Sequence, residues 1–156
     1  MLTRHVIPQN HTTPSKGELS AKIGTGSGLT FTADGLNFAR DYYTTDRKMR
    51  MTLSALQRLP NMIHGVEITF PSTLTEGDHK FEDKDVTAVY WQLLPENNES
   101  VFYTYDADSG FFNMTSYDSL EVFEGFFNFK STHSDGTFLE VKSGRFRIEG
   151  RDDLTL

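Results

Sequence analysis

From Val86 to Glu149, aromatic and branched residues alternate with polar ones, and turn residues interrupt the alternation every eight to twelve positions. Val89, Trp91 and Leu93 share one parity; Val101, Tyr103 and Tyr105 share one in the next run, as do Phe123, Phe127 and Phe129, then Phe146 and Ile148. A period of two sends successive side chains to opposite faces of an extended chain. The pattern predicts strands over 86–94, 101–106, 110–117, 121–131, 137–141 and 143–149. The connections (Pro95 to Asn98, Asp106 to Gly110, Tyr117 to Ser119, Ser134 to Gly136, and Ser143-Gly144) consist of turn formers. Links this short predict antiparallel neighbours, because parallel strands need longer crossovers.

Upstream the same reading holds. Leu19, Ala21 and Ile23 alternate, glycines interrupt at 24–28, and Leu29, Phe31 and Ala33 alternate again. Asp34-Gly35 is a hairpin-turn dipeptide. Met49 to Ala55 reads as a half-buried strand, and Met62 to Phe70 as another, ended by Pro71. Residues 72–85 read as an acidic, solvated loop. The best helical spacing, Leu53, Leu56 and Leu59, is cut short by Pro60. The expectation is an all-β chain: an antiparallel β-sandwich of about nine to eleven strands. A β-barrel of calycin-like type is the second choice. Residues 1–18 are expected to be an N-terminal tail or edge segment, and 19–156 a single domain.

Composition supports a self-sufficient core, since 13 Phe, 6 Tyr and 1 Trp suit pleated, half-buried surfaces. The absence of cysteine excludes a disulfide, a zinc-thiolate site and a thiol nucleophile. A net charge of −7 with no basic run argues against nucleic acid and anionic membranes, which need clustered Lys and Arg. No apolar run approaches a membrane span. The first eighteen residues hold no apolar secretory segment, so the expectation is a cytoplasmic protein, or an exported one if the chain is a mature fragment.

Familiar chemical motifs fail on inspection. Gly24-Thr25-Gly26-Ser27-Gly28 runs into the strand residues Leu29-Thr30-Phe31 and not into Lys-Ser/Thr and a helix, so a hairpin or bulge is expected there. A calcium loop starting at Asp106 would need glycine at position six and glutamate at position twelve, where Phe111 and Tyr117 stand, so a hairpin turn is expected. His5, His11, His64, His79 and His133 show no metal-ligand spacing, and no nucleophile elbow occurs. No catalytic residue, metal site or cofactor is assigned, and the chain is expected not to be an enzyme.

Adjacent aromatics carry the functional expectation. Tyr90 and Trp91, Phe102 and Tyr103, Phe111 and Phe112, and Phe126 and Phe127 must point to opposite faces. Either both faces of these strands are covered, or an aromatic strip meets solvent as a partner or sugar-stacking surface. The first expectation is a non-enzymatic interaction or structural module that contacts protein or pairs with itself as a homodimer. The second is a carbohydrate-binding module in which Tyr90, Trp91, Tyr103 or Tyr105 stacks on sugar rings. The third is a barrel that carries a small ligand or lipid.

The segment Glu124-Gly125-Phe126-Phe127-Asn128-Phe129, followed by Gly136, Leu139 and Val141 and then Gly144-Arg145-Phe146-Arg147-Ile148, resembles the final hairpin of a group of uncharacterised bacterial β-sandwich proteins. Ile68-Thr69-Phe70-Pro71 and Gly77-Asp78-His79-Lys80-Phe81 fit the same layout, over about the last ninety residues. The resemblance implies a β-sandwich. Such proteins are often exported and lipid-anchored, whereas this chain has no cysteine to anchor.

Overall fold

The computed structural model describes residues 4–6, 15–24, 28–43, 48–117 and 122–150. Among these described residues twelve strands are formed: β1 (Arg4–Val6), β2 (Lys16–Ile23), β3 (Leu29–Thr32), β4 (Gly35–Tyr43), β5 (Lys48–Leu59), β6 (Met62–Pro71), β7 (Gly77–Lys80), β8 (Thr87–Glu96), β9 (Glu99–Asp106), β10 (Ser109–Tyr117), β11 (Val122–Thr132) and β12 (Phe138–Glu149). They make two six-stranded antiparallel sheets. Sheet A runs β1-β4-β5-β6-β8-β9 and sheet B runs β3-β2-β12-β11-β10-β7. The sheets pack face to face and do not close into a barrel, so the sandwich expectation holds and the barrel does not.

The direction of packing follows from two contacts. At one end of β6, His64 meets Phe31 of β3 with ring centroids 4.8 Å apart. At the other end, Phe70 stacks on Phe112 of β10 at 5.6 Å. β3 and β10 lie four strand spacings apart in sheet B, about 19 Å. The six residues from His64 to Phe70 span about 20 Å. Strand β6 therefore runs across the strands of sheet B, close to a right angle.

Between the layers the core is mostly phenylalanine. Phe38 stacks on Phe123 at 4.7 Å, Phe123 meets Phe146 at 4.6 Å, and Phe112 lies parallel to Phe146 at 5.7 Å. Each is buried. Stacked and tilted ring pairs at these separations add to plain area burial.

Four local readings of the sequence change. Asp34-Gly35 is not a hairpin turn but a corner between sheets. The Ala33 N–H donates to Leu19 O of sheet B, and the next N–H, of Asp34, donates to Leu56 O of sheet A. The run from Asp106 to Gly110 does the same in reverse: the Ala107 N–H donates to Ala88 O of sheet A and the Asp108 N–H to Lys130 O of sheet B. In each corner the aspartate carboxylate ties down a neighbouring strand. Asp34 accepts from the Arg58 backbone N–H at 2.7 Å, and Asp108 accepts from the Thr132 backbone N–H at 2.5 Å. Turn chemistry is legible in both runs, but not the identity of the strands they join.

Residues 72–85 are more than a loop. They contain β7, at one edge of sheet B, and a 3-10 turn at Phe81–Asp83 whose Phe81 is buried. Finally, 137–141 and 143–149 are one strand. Ser143 adopts φ 52° and the pairing of β12 with β2 slips between Lys142 and Arg145. That bulge resets the parity: Val141 points inward before it, Phe146 and Ile148 after it. Alternation therefore breaks in the sequence where the strand does not end.

At the glycine run, whose residues 25–27 lie outside the described residues, β2 and β3 on either side form an antiparallel pair with Ile23 facing Leu29. The predicted turn at Pro95 to Asn98 is a two-residue hairpin with Asn97 and Asn98 at φ 49° and 64°. Paired left-handed residues match the right-handed twist of the strands they join.

Candidate functional site: the β8–β9 border

The four aromatic residues singled out from the sequence lie together on β8 and β9 but do not form one surface. Tyr90 and Tyr105 are cross-strand partners on the inner face, with ring centroids 5.9 Å apart. Tyr90 is fully buried, so it offers no ring face to a ligand at the surface. Tyr103 shares that face but is exposed, and its hydroxyl donates to the Glu96 carboxylate at 2.9 Å. That bond to a carboxylate, more than burial, holds the Tyr103 hydroxyl above the usual phenol range. Trp91 points to the outer face.

Around Tyr90 the inner face carries a polar chain that the sequence reading missed. Gln92 Nε2 donates to the Tyr90 oxygen at 3.2 Å. The Tyr90 hydroxyl lies 2.8 Å from His64 Nδ1, and His64 Nε2 lies 2.8 Å from Gln57 Oε1. An amide oxygen only accepts, so His64 must carry its proton on Nε2 and accept from Tyr90 through Nδ1. The neutral imidazole satisfies every partner. Burial pulls the His64 pKa below its usual value; burial first, then the neighbouring Tyr105, push the Tyr90 hydroxyl up to about 12 against the lowering effect of the Gln92 hydrogen bond. With both nitrogens bonded and no exposed surface, His64 has no position from which to take a substrate's proton. The chain is a filled polar seam in the core. Its sequence signal is weak: His64 and Gln57 simply occupy inward parity on β6 and β5.

The outer face at the same border is different. Trp91 covers Gly65, its cross-strand partner on β6; a Cβ there would stand 2.4 Å from indole Cε2 and Cζ2. Phe102 packs beside Trp91 at 5.7 Å and is 59% exposed. The register aligns Ile63, Leu93 and Phe102 in one row across three strands, and Leu56, Gly65 and Trp91 in the next. The result is an apolar patch that reaches the sheet's edge. Of the adjacent aromatic pairs, Tyr90, Phe112 and Phe127 are the buried members, whereas Phe102, Phe111 and Phe126 are exposed. Among the described residues, then, nothing covers Phe102, Phe111 or Phe126 on the second face of these strands.

A second surface lies on the outer face of sheet B. A groove of about 630 Å³ is bordered by Lys22, Glu124, Phe126, Arg145 and Arg147, and an adjoining one of about 440 Å³ by Asp78, Phe111 and Asn113. Phe126 and Arg145 are cross-strand partners in its floor. Arg147 is bridged to Glu124 at 3.0 Å, and Asn113 Nδ2 donates to Asp78 at 2.6 Å.

Among the described residues no three His, Asp or Glu side chains gather as a metal site. No helix there is long and apolar enough to cross a membrane. Comparison of the chain with family models, curated proteins and solved structures finds no match.

Proposed function

We propose that this chain is a non-enzymatic binding module that engages a protein partner through the β8–β9 border of sheet A. The carrying observation is the apolar patch of Ile63, Trp91, Leu93 and Phe102, with Phe102 59% exposed at the edge. A contiguous apolar patch on an outer face raises the free energy in water and lowers it when a partner covers the patch. The polar seam on the other side of the same strands fixes β6, β8 and β5 as a rigid platform for it.

Trp91 is the only tryptophan, so intrinsic emission reports on this face alone. Emission should shift to the blue as the patch is covered by protein, and stay unchanged on titration with a broad panel of polysaccharides. A saturable response to a polysaccharide that disappears in Trp91→Ala would overturn the protein reading.

A second reading, carbohydrate binding, draws support from the groove on sheet B. Phe126 is 53% exposed there beside Arg145, among hydroxyl, amide and carboxylate groups. A ring platform flanked by donors and acceptors suits sugar rings. Affinity for a polysaccharide that is lost in Phe126→Ala but kept in Trp91→Ala would select this reading.

A further inference from the structure

We infer that the partner at the β8–β9 border is a second copy of the chain, joined strand to strand through β9 with Phe102 facing Phe102 across a two-fold axis. This deepens the binding-module reading above and rests on it.

The argument starts from the sheet edges. Edge strands expose unpaired N–H and C=O groups, and monomeric proteins blunt them with shortness, charge, proline or bulges. Two of the other edges are visibly blunted. β3 has four residues, and β7 has four and carries Asp78, His79 and Lys80. β9 is eight residues long. From Ser100 to Tyr105 it holds no charge, proline or glycine, and its pairing with β8 runs without a slip from Glu99 to Asp106. Among the described residues nothing pairs with its other side.

Parity then restricts self-pairing. A two-fold axis normal to the sheet keeps each side chain on its own face. Directly opposed residues of an antiparallel pair also share a face. The two residue numbers must therefore have an even sum. The register centred on Phe102 meets this condition. It opposes Tyr103 to Val101 on the inner face and Thr104 to Ser100 on the outer one. Glu99 then faces Tyr105, so the acidic ends of the strand, Glu99 and Asp106, are not opposed. On the outer face the two Phe102 rings meet between the two Trp91 indoles, which joins the two apolar patches into one. Each copy carries −7, so long-range repulsion opposes the contact and salt relieves it.

Sedimentation of the full chain tests this. A concentration-dependent species of about twice 17.7 kDa is expected, more populated at about 0.5 M salt than at about 0.05 M. Phe102→Lys and Phe102→Glu, each checked for a β-sheet circular dichroism spectrum, should each be monomeric, because each sets like charges opposite one another. An equimolar mixture of the two should recover the dimer. As the chain has no cysteine, Phe102→Cys should also give a disulfide-linked dimer on mild oxidation, and Ser100→Cys far less. The inference is overturned if Phe102→Lys dimerises like the unaltered chain, or if the mixture stays monomeric. It is also overturned if the unaltered chain is a monomer at about 100 μM. In that last case a Trp91 emission shift with another protein would leave the binding-module reading standing.

Discussion

The Tyr90 hydroxyl lies 2.8 Å from Nδ1 of a His64 side chain that is completely buried. Because that hydroxyl donates, protonation of His64 would place a proton where a donor already points. The folded state thus resists the imidazolium, and the His64 pKa is depressed by its burial. A group of this kind contributes stability that is fully present above the unfolded histidine pKa of about 6.5 and is lost as pH falls through the folded value. Melting temperature should therefore drop as pH falls below about 6.5. In His64→Gln the protein should be less stable at neutral pH, and that part of its pH slope should flatten. A slope unchanged by the substitution would refute the assignment.

Tyr90→Phe keeps the ring against Tyr105 but removes the hydroxyl that joins Gln92 to His64. The buried His64 and the half-buried Gln92 each lose a partner, and a loss of about 1–3 kcal/mol is expected in urea unfolding. At alkaline pH the sign is the reverse of the histidine case. The raised Tyr90 pKa contributes stability that is intact below about 10 and declines as pH rises toward about 12. Absorbance titration at 295 nm should show one phenol ionising near 12 that is missing in Tyr90→Phe.

Two glycines lie under aromatic rings, and their surroundings predict different costs. At Gly144 a Cβ would come 2.5 Å from the ring of Phe127, which is buried on the inner face. At Gly65 it would come 2.4 Å from Trp91, which can lift toward solvent. Gly144→Ala should cost about 1–3 kcal/mol, as overpacking does. Gly65→Ala should cost less and shift the Trp91 emission to the red. Equal costs would mean that the indole is held as firmly as a core ring.

The inter-sheet corners give a further comparison. Asp34→Ala removes the acceptor for the Arg58 backbone N–H, and about 0.5–1.5 kcal/mol of stability should go with it. Arg58→Ala removes only the exposed ion pair at 2.9 Å and should cost less. Thermal melts of the two variants decide the order.

How much of this was legible in the sequence depends on the range of the interaction. Strand positions and inward parity are local, and alternation located β6, β8 and β11 to within two residues. Turn residues are local too, but whether a turn returns the chain to its own sheet or hands it to the other is decided by distant partners. Ala33 and Asp34 differ in this respect although they are adjacent. The bulge at Ser143 broke the period without breaking the strand, so one strand read as two. For the candidate site, adjacency of aromatics revealed that one of each pair faces outward. Which one does so was not legible, because parity is relative: Tyr90, not Trp91, proved to be the inner residue. Exposure of Phe102 follows from the place of β9 at an edge, and strand order is a property of the whole chain.

The pairing of β12 with β2, which brings Arg147 opposite Glu18 and Val141 opposite Ile23, sets a timetable for a chain made from its N-terminus. Strands β4, β5, β6, β8 and β9 can zip up from nearby segments as they emerge. Sheet B cannot be completed until β12 has been made, because β12 sits between β2 and β11 and joins the early strand to the later ones. Until β10 and β11 follow, Phe38 and Phe70 wait without the Phe123 and Phe112 rings that cover them. Nascent molecules of this protein should thus pass through a half-clad stage in which holdase chaperones have most to bind.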